Sequence, residues 1–133
     1  MEQRGRLLIV DDNAMNVDVL RRILRKECEL DAAASGEECL AKLSAFEPQL
    51  VLLDIMMPGM DGYETCRRIK SGPLGDSVQV ILVSSKGTAA DRVQGYGALA
   101  DDYVVRPFDH DELLHKVRAH FRLANPRVEP EQR

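Results

Sequence analysis

The sequence predicts an α/β fold in which helices cover both faces of a five-stranded parallel sheet. Short apolar runs alternate with amphipathic segments along the chain, a pattern typical of successive strand–helix–strand units. The runs are continuous rather than alternating, as expected for strands buried on both faces. The chain has 133 residues, enough for one such domain and too few for two. We therefore expect three layers, α/β/α, joined by right-handed crossovers.

The five strands are predicted from four clear apolar runs and one weaker run. Each clear run is followed by polar or turn residues, where a buried strand would leave the core. In chain order the strands are expected at residues 7–10, 29–34, 50–53, 80–83 and 103–105, of which 29–34 is the weaker one.

Helices are predicted between the strands from apolar residues at helical spacing. Ser35 and Glu38 have the spacing of a capping box, so the second helix should begin there. The segment 86–98 contains three glycines, each of which costs about 1 kcal/mol inside a helix, so only a short, loosely held helix is expected. The expected helices are residues 13–26, a helix from 35 onward, 61–70, 89–94 and 109–123.

Composition and chain ends limit the classes of function. A net charge of −4 without a basic run argues against direct nucleic-acid binding. Three cysteines lack metal-ligand spacing, which suggests buried free thiols in a reducing cytoplasm. No signal peptide and no apolar stretch of about 20 residues is present, so no membrane segment is expected. Residues 6–123 are predicted as one domain, and 124–133, with two prolines, as a tail or linker.

Acidic residues follow two of the predicted strands. Asp11 and Asp12 come after the first strand, and Asp54 comes after the third. The carboxyl ends of parallel strands share one edge of the sheet, so these acids should meet in one crevice. Like charges at short range are unfavourable unless a cation joins them, and oxygen ligands suit Mg²⁺.

Two further strand ends add a hydroxyl and a cation to the same edge. Ser84 follows the fourth strand, and Arg106 follows the fifth, directly before Pro107. Each feature has a simpler explanation: the first acids could cap a helix, Asp54 could belong to a turn, and Arg106 could extend to solvent. Their joint occurrence instead favours a phosphoryl group, which can bridge metal, hydroxyl and guanidinium.

Four motifs give the chain a resemblance to the receiver domain of two-component response regulators. They are "LLIVDDN", "LVLLDIMMPGMDGYE", "VILVSS" and "ADDYVVRPFD", in the family's order and at its usual separations over residues 6–123. The resemblance implies a flavodoxin-like, doubly wound sheet with strand order 2-1-3-4-5 and five helices. It also implies a cytoplasmic signalling domain and not an enzyme.

The resemblance assigns the phosphoacceptor and the metal ligands. Asp54 would take a phosphoryl group from the phosphohistidine of a histidine kinase or phosphotransfer protein. Mg²⁺ would be bound by Asp12, Asp54 and the backbone carbonyl of Met56, with Asp11 helping directly or through water. The output domain or partner protein is not indicated.

The resemblance also implies a conformational switch. The hydroxyl of Ser84 would bond the incoming phosphoryl oxygen, and Tyr103 would then turn inward as the aromatic switch residue. The surface formed by the fourth helix, the fifth strand and the fifth helix is the predicted output face. His110, His115 and His120 are scattered around the last helix and are predicted to lie on the surface.

Three departures from the family pattern bear on the site. Arg106 replaces the usual lysine, before a peptide bond that is typically cis. Its longer, forked guanidinium would either bind phosphoryl oxygens with two nitrogens or point away from the site. Leu99 replaces a usual glycine. Met56 and Lys86 stand where the family influences water attack, and methionine cannot position water by hydrogen bonding, so no unusually fast self-dephosphorylation is expected.

Three alternative functions have residue requirements that can be compared with this sequence. A Mg²⁺-dependent phosphohydrolase of the haloacid dehalogenase type needs a second acid two residues after its nucleophile, where this chain has Met56. A nucleotide or flavin module needs a glycine-rich turn after the first strand, where this chain has "DDNAMN". A phosphorylation-independent, receiver-like interaction module would be consistent with Arg106, although Asp11, Asp12, Asp54 and Ser84 are all present.

Overall fold

The computed structural model describes residues 4–85 and 87–124, in which five strands alternate with five helices. The strands are β1 (Arg6–Val10), β2 (Glu29–Ala33), β3 (Leu50–Asp54), β4 (Gln79–Ser84) and β5 (Asp102–Val105). The helices are α1 (Ala14–Leu24), α2 (Gly36–Phe46), α3 (Gly62–Ser71), α4 (Ala89–Gly97) and α5 (His110–Ala124).

All five strands belong to one parallel sheet in the order β2-β1-β3-β4-β5, which confirms the predicted topology. The register pairs Val10 of β1 with Leu53 of β3, and Asp54 of β3 with Val83 of β4. The carboxyl ends of the central strands therefore meet at one edge. Because the strand order reverses beside β1, this edge is where a doubly wound sheet opens a crevice for a ligand.

Both faces of the sheet are buried. Successive side chains of each strand point to opposite faces, so each strand contributes to two core clusters. Leu8 and Val10 of β1 belong to a core cluster that includes Ile69 of α3. Leu7 and Ile9 belong to a second cluster with residues of α1 and α5. Apolar burial on both sides explains why the strands read as continuous apolar runs.

Each helix begins after a side chain whose oxygen accepts a hydrogen bond from a backbone N–H of the first turn, and for α2 this side chain is the predicted cap Ser35. In α2, the N–H of Glu38 donates to Ser35 Oγ at 3.1 Å, and Glu38 in return accepts from the N–H of Ala34. In α5, the N–H of Glu112 donates to Asp109. The other helix caps are Asn13, Asp61 and Thr88.

The fourth helix is longer than predicted. It extends over Ala89–Gly97 instead of stopping at residue 94. A Cβ atom on Gly95 would lie 3.0 Å from Leu82 and 3.2 Å from Tyr103, so the absence of a side chain lets the helix approach β4 and β5 closely. This packing compensates for the weak helix propensity of glycine, which sequence reasoning counted only as a cost.

The prediction that all three histidines lie on the surface is wrong for His120. His110 and His115 are exposed, but His120 is buried. Its Nδ1 lies 2.8 Å from Gln79 Oε1 and its Nε2 lies 3.0 Å from Asp102 Oδ2. The ring therefore joins α5 to the first residues of β4 and β5.

Cys28, Cys39 and Cys66 are free and buried, as predicted. Among the described residues, no helix is both long and apolar enough to span a bilayer. The predicted tail at 124–133 lies outside the described residues from position 125 onward.

Candidate functional site

Three carboxylates lie together at the carboxyl edge of the sheet. Asp54 is the last residue of β3, and Asp11 and Asp12 directly follow β1. One oxygen of each carboxylate lies within 4.8 Å of the others. Asp11 and Asp54 are buried, whereas Asp12 is exposed. The structure thus brings together the three acids that the sequence predicted to meet.

Asp11 is fixed by backbone contacts and does not cap α1. Its N–H donates to the carbonyl of Ala33 in β2 at 3.0 Å. Its Oδ1 accepts from the N–H of Asn13 at 2.9 Å. Asn13 itself caps the helix, accepting from the N–H groups of Met15 and Asn16. The simpler explanation of the first acids as a helix cap is therefore wrong.

The loop after Asp54 depends on a glycine that sequence reasoning missed. The N–H of Gly62, the first residue of α3, donates to the carbonyl of Ile55 at 3.0 Å. A Cβ at position 62 would lie 2.5 Å from the carbonyl oxygen of Asp54. The helix can approach the end of β3 only because no side chain is present at position 62. The signal was available in the sequence, since Gly62 directly follows the capping residue Asp61.

Ser84 is the last residue of β4 and is buried, whereas the neighbouring Ser85 is exposed. The N–H of Arg106 donates to the carbonyl of Ser84 at 2.7 Å. This hydrogen bond ties the ends of β4 and β5 together. Burial and its place in β4 therefore distinguish Ser84 from Ser85.

Arg106 points into the site. Its Nη2 lies 2.8 Å from Asp11 Oδ2, and its Nη1 lies 3.4 Å from Asp54 Oδ1. The peptide bond to Pro107 is cis, as the resemblance implied. Of the two orientations considered for the guanidinium, the structure has the inward one.

The charge of Asp54 is only partly balanced. Burial, followed by the negative charge of Asp11, raises the pKa of Asp54 above its ordinary value. The guanidinium of Arg106 and a hydrogen bond from the N–H of Met56 act in the opposite direction without cancelling the rise. The carboxylate would therefore gain from a further positive charge.

Tyr103 lies on β5 with its ring in the interior. It is 4% exposed, and the guanidinium of Arg92 in α4 lies 5.2 Å from the ring centroid, a cation–π distance. The ring of Tyr103 is therefore already inward in this structure, with α4 packed directly against it.

Of the other three residues set against the family pattern, Met56 and Leu99 are described and differ in their surroundings. Met56 is 64% exposed, and its side chain offers no strong hydrogen bond to a water. Leu99 has a φ of 72°, a left-handed conformation that favours glycine. This left-handed backbone explains why glycine is usual at the position. Leu99 adopts the same conformation only at a cost in backbone strain. Lys86 lies outside the described residues.

An open groove lies between α1 and the segment after β5. Val19 and Leu20 line it on the α1 side, and Arg106, which contacts Asp11, is another of its lining residues. Met15 and Val19 are exposed on α1 next to it. One side of the site is therefore accessible to a large partner.

The donor set fits a hard divalent cation. Three carboxylates supply oxygen ligands, and the exposure of Asp12 leaves room for water molecules in the remaining coordination positions. The unbalanced charge at Asp54 favours a bound cation as well. The acidic cluster could therefore hold a metal ion of this class.

Comparisons with known proteins agree with this geometry. The family model for the response regulator receiver domain matches residues 7–118. The transcriptional regulatory protein ResD of Bacillus subtilis (strain 168) is 40% identical over 121 residues, covering 90% of this chain and 49% of ResD. The chain thus spans about half the length of that relative.

Two solved structures are similar across most of the chain. A CheY-like receiver domain protein of Methanospirillum hungatei JF-1 has a TM-score of 0.85 and 28% identity, covering 94% of this chain and 99% of that one. The BeF3-activated receiver domain of DrrB, from Thermotoga maritima, has a TM-score of 0.80 and 30% identity, covering 90% and 98%. Nothing favours the phosphorylation-independent alternative, because the acids are complete and Arg106 faces them. By motif, fold and relatives, the chain belongs to the receiver domains of two-component response regulators.

Proposed function

We propose that Asp54 accepts a phosphoryl group from a phosphohistidine in a Mg²⁺-dependent reaction. The observation that supports this proposal is that Asp54 lies close to both negative and positive charge. Carboxylate oxygens of Asp11 and Asp12 lie within 4.8 Å of one of its own, and Nη1 of Arg106 lies 3.4 Å from its Oδ1. A phosphoryl group on Asp54 would face both a metal and a guanidinium.

The transfer exchanges one bond to phosphorus for another. A carboxylate oxygen of Asp54 attacks the phosphorus, the new O–P bond forms, and the N–P bond to the donor imidazole breaks. The bonding electrons leave with the imidazole nitrogen, and Asp54 becomes an acyl phosphate. Mg²⁺, when bound, would neutralise charge on the acids and on the phosphoryl oxygens.

Three residues of the chain would act on the phosphoryl oxygens and the metal. Arg106 would contact the oxygens through its guanidinium, and Ser84 would donate its hydroxyl. The backbone carbonyl of Met56 would complete the metal ligands. Arginine stays charged at every working pH, so its contribution to the site does not depend on protonation.

The response would travel from Ser84 to α4. Tyr103 packs against Gly95 of α4 and under Arg92, so a shift at the end of β4 would act on that helix. Val93 and Tyr96 of α4 are 71% and 51% exposed. They are the apolar residues through which the face formed by α4, β5 and α5 would reach an output domain or partner.

The partners follow from the chemistry of the donor. A histidine kinase or phosphotransfer protein would approach through the groove beside α1, which leads to Arg106. We also propose a cytoplasmic location, which the three buried free thiols support. Residues 6–123 would form the working domain, with the following residues as a tail or linker.

The test is the mass of the intact protein after incubation with Mg²⁺ and a small phosphodonor. The parent chain should gain one phosphoryl group, and Asp54→Ala should gain none. Asp76→Ala is the matched control, because Asp76 is exposed and remote from the strand ends that carry the acids. Chelation of Mg²⁺ should abolish the gain in the parent and in the control variant.

A gain by Asp54→Ala equal to that of the parent would place the phosphoryl group elsewhere and contradict the proposal. So would a complete lack of reaction in the folded parent, when a receiver domain known to react does so in parallel.

A further inference from the structure

The guanidinium of Arg106 bridges two carboxylates of the acidic site. Nη2 contacts Asp11 at 2.8 Å and Nη1 approaches Asp54 at 3.4 Å. The side chain of Arg106 is 23% exposed, and those of Asp11 and Asp54 are 1% and 8% exposed. Two nitrogens of the same guanidinium contact two different carboxylates. A lysine has a single ammonium nitrogen and could not make both contacts in this way.

Both oxygens of Asp11 are already occupied by donors. Oδ1 accepts from the N–H of Asn13 at 2.9 Å, and Oδ2 accepts from Arg106. A cation that uses Asp11 must therefore share an oxygen with one of these donors or displace it. The backbone N–H of Asn13 is held at the start of α1, whereas the Arg106 side chain can rotate about its χ angles, so the arginine is the donor that would be displaced.

Arg106 also supplies a positive charge where the metal would sit. The oxygens of Asp11, Asp12 and Asp54 lie within 4.8 Å of one another, and the guanidinium contacts two of these carboxylates. A divalent cation bound to the same carboxylates would lie close to the guanidinium, so the two positive charges would repel each other.

We propose that Arg106 is an internal counter-ion that competes with the divalent cation for Asp11. In the metal-free protein it partly balances the charge of Asp11 and Asp54. Binding of the cation requires Nη2 to leave Asp11, while Nη1 stays beside Asp54, where phosphoryl oxygens would arrive. This inference rests on the proposed function and adds that the residue at position 106 sets the concentration of Mg²⁺ that the site needs.

The test is calorimetric titration of chelator-treated protein with Mg²⁺, without any phosphodonor. Arg106→Lys keeps the charge and removes the fork, so its dissociation constant should fall by about 5-fold to 10-fold relative to the parent. Arg118→Lys is the matched control, since Arg118 makes a similar two-nitrogen contact with Glu27 away from the acids. Its dissociation constant should stay within about twofold of the parent value.

A double-mutant cycle assigns the competition to Asp11. In an Asp11→Asn background, the exchange of Arg106 for lysine should change the dissociation constant by less than about twofold. The side-chain N–H signal of Arg106 in NMR spectra should shift as Mg²⁺ is added to the parent. Circular dichroism of each variant establishes that it is folded.

The possible failures are distinguishable. Equal or weaker Mg²⁺ binding by Arg106→Lys would overturn the competition and leave the proposed function standing. An Arg106 signal that does not respond to saturating Mg²⁺ would overturn it too. No Mg²⁺ binding by the parent or by either variant would overturn the metal requirement of the proposed function, and this inference with it.

Discussion

The Nε2 atom of His120 lies 3.0 Å from a carboxylate oxygen of Asp102, at the sheet edge opposite to the acidic site. Lys116 contacts both oxygens of the same carboxylate at 3.1 Å. Burial alone would raise the pKa of Asp102, but hydrogen bonds from His120, the N–H of Tyr103 and Lys116 together lower it to about 2. These hydrogen bonds and the Lys116–Asp102 ion pair connect α5 to β5.

The lowered pKa of Asp102 predicts a stability that depends on pH. The ordinary value is 3.8 and the folded value is about 2, so the contribution is complete above pH 3.8 and is lost as the pH falls toward 2. At neutral pH, Asp102→Asn should lower the free energy of unfolding by about 2 kcal/mol. Urea denaturation at pH 7 and at pH 2.5 would measure it, with the exposed Asp76→Asn as control. A deficit of Asp102→Asn that is the same at both pH values would contradict this explanation.

The strained backbone at Leu99 predicts a stabilising substitution. Leu99→Gly should raise the free energy of unfolding by about 1 kcal/mol, because a left-handed residue with a Cβ is unfavourable. The side chain is 57% exposed, so little packing is lost. Leu99→Ala keeps the Cβ and is the control, for which no gain is expected. Chemical denaturation compares the three proteins, and an equal gain from alanine would show that the side chain and not the backbone is responsible.

Two glycine-to-alanine exchanges should have opposite effects. Gly62→Ala places a methyl group against the carbonyl of Asp54, 2.5 Å away, and should lower the free energy of unfolding by about 2 kcal/mol. It should also slow phosphoryl acceptance, because the loop after Asp54 must shift. Gly97→Ala adds a methyl group with nothing within 4 Å and should gain up to about 1 kcal/mol in α4. Thermal unfolding and the intact-mass assay measure both effects, and a harmless Gly62→Ala would refute the close approach.

The buried thiols should be unreactive in the folded protein. Burial raises the pKa of Cys28, Cys39 and Cys66 to about 12 each, so almost no thiolate is present at pH 8. An aromatic disulfide reagent should label none of them rapidly in buffer and all three in denaturant. Absorbance during labelling gives the count, and a fast-reacting thiol in the native protein would disagree with the structure.

The parallel sheet and the meeting of the acids were accessible from the sequence, because both follow from local features, whereas the strand order was predicted from the resemblance to receiver domains. The apolar runs and the helical spacing between them determine the parallel arrangement, and the polar residues after each run determine what lies at the shared edge. Asp11, Asp12 and Asp54 come together as predicted. The roles of the Ser84 hydroxyl, the Tyr103 ring and the Met56 backbone carbonyl remain predictions.

Features that depend on contacts between distant segments were not predicted. The length of α4 depends on Gly95 packing against Leu82 and Tyr103. The burial of His120 had a signal that was overlooked, since it lies three residues after the buried Val117 on one helix face. The bridge from Arg106 to both acids had no such local signal, because it is set by side-chain geometry within the folded site.

The contact between Arg106 and Asp11 joins positions 95 residues apart. During synthesis, all three acids leave the ribosome well before the arginine that neutralises two of them. A growing chain that lacks β5 therefore carries its acids without this partner. Only when the last strand has been added can the acids and the guanidinium balance one another, so an unfinished or truncated chain would lack the charge arrangement that a phosphodonor meets in the completed domain.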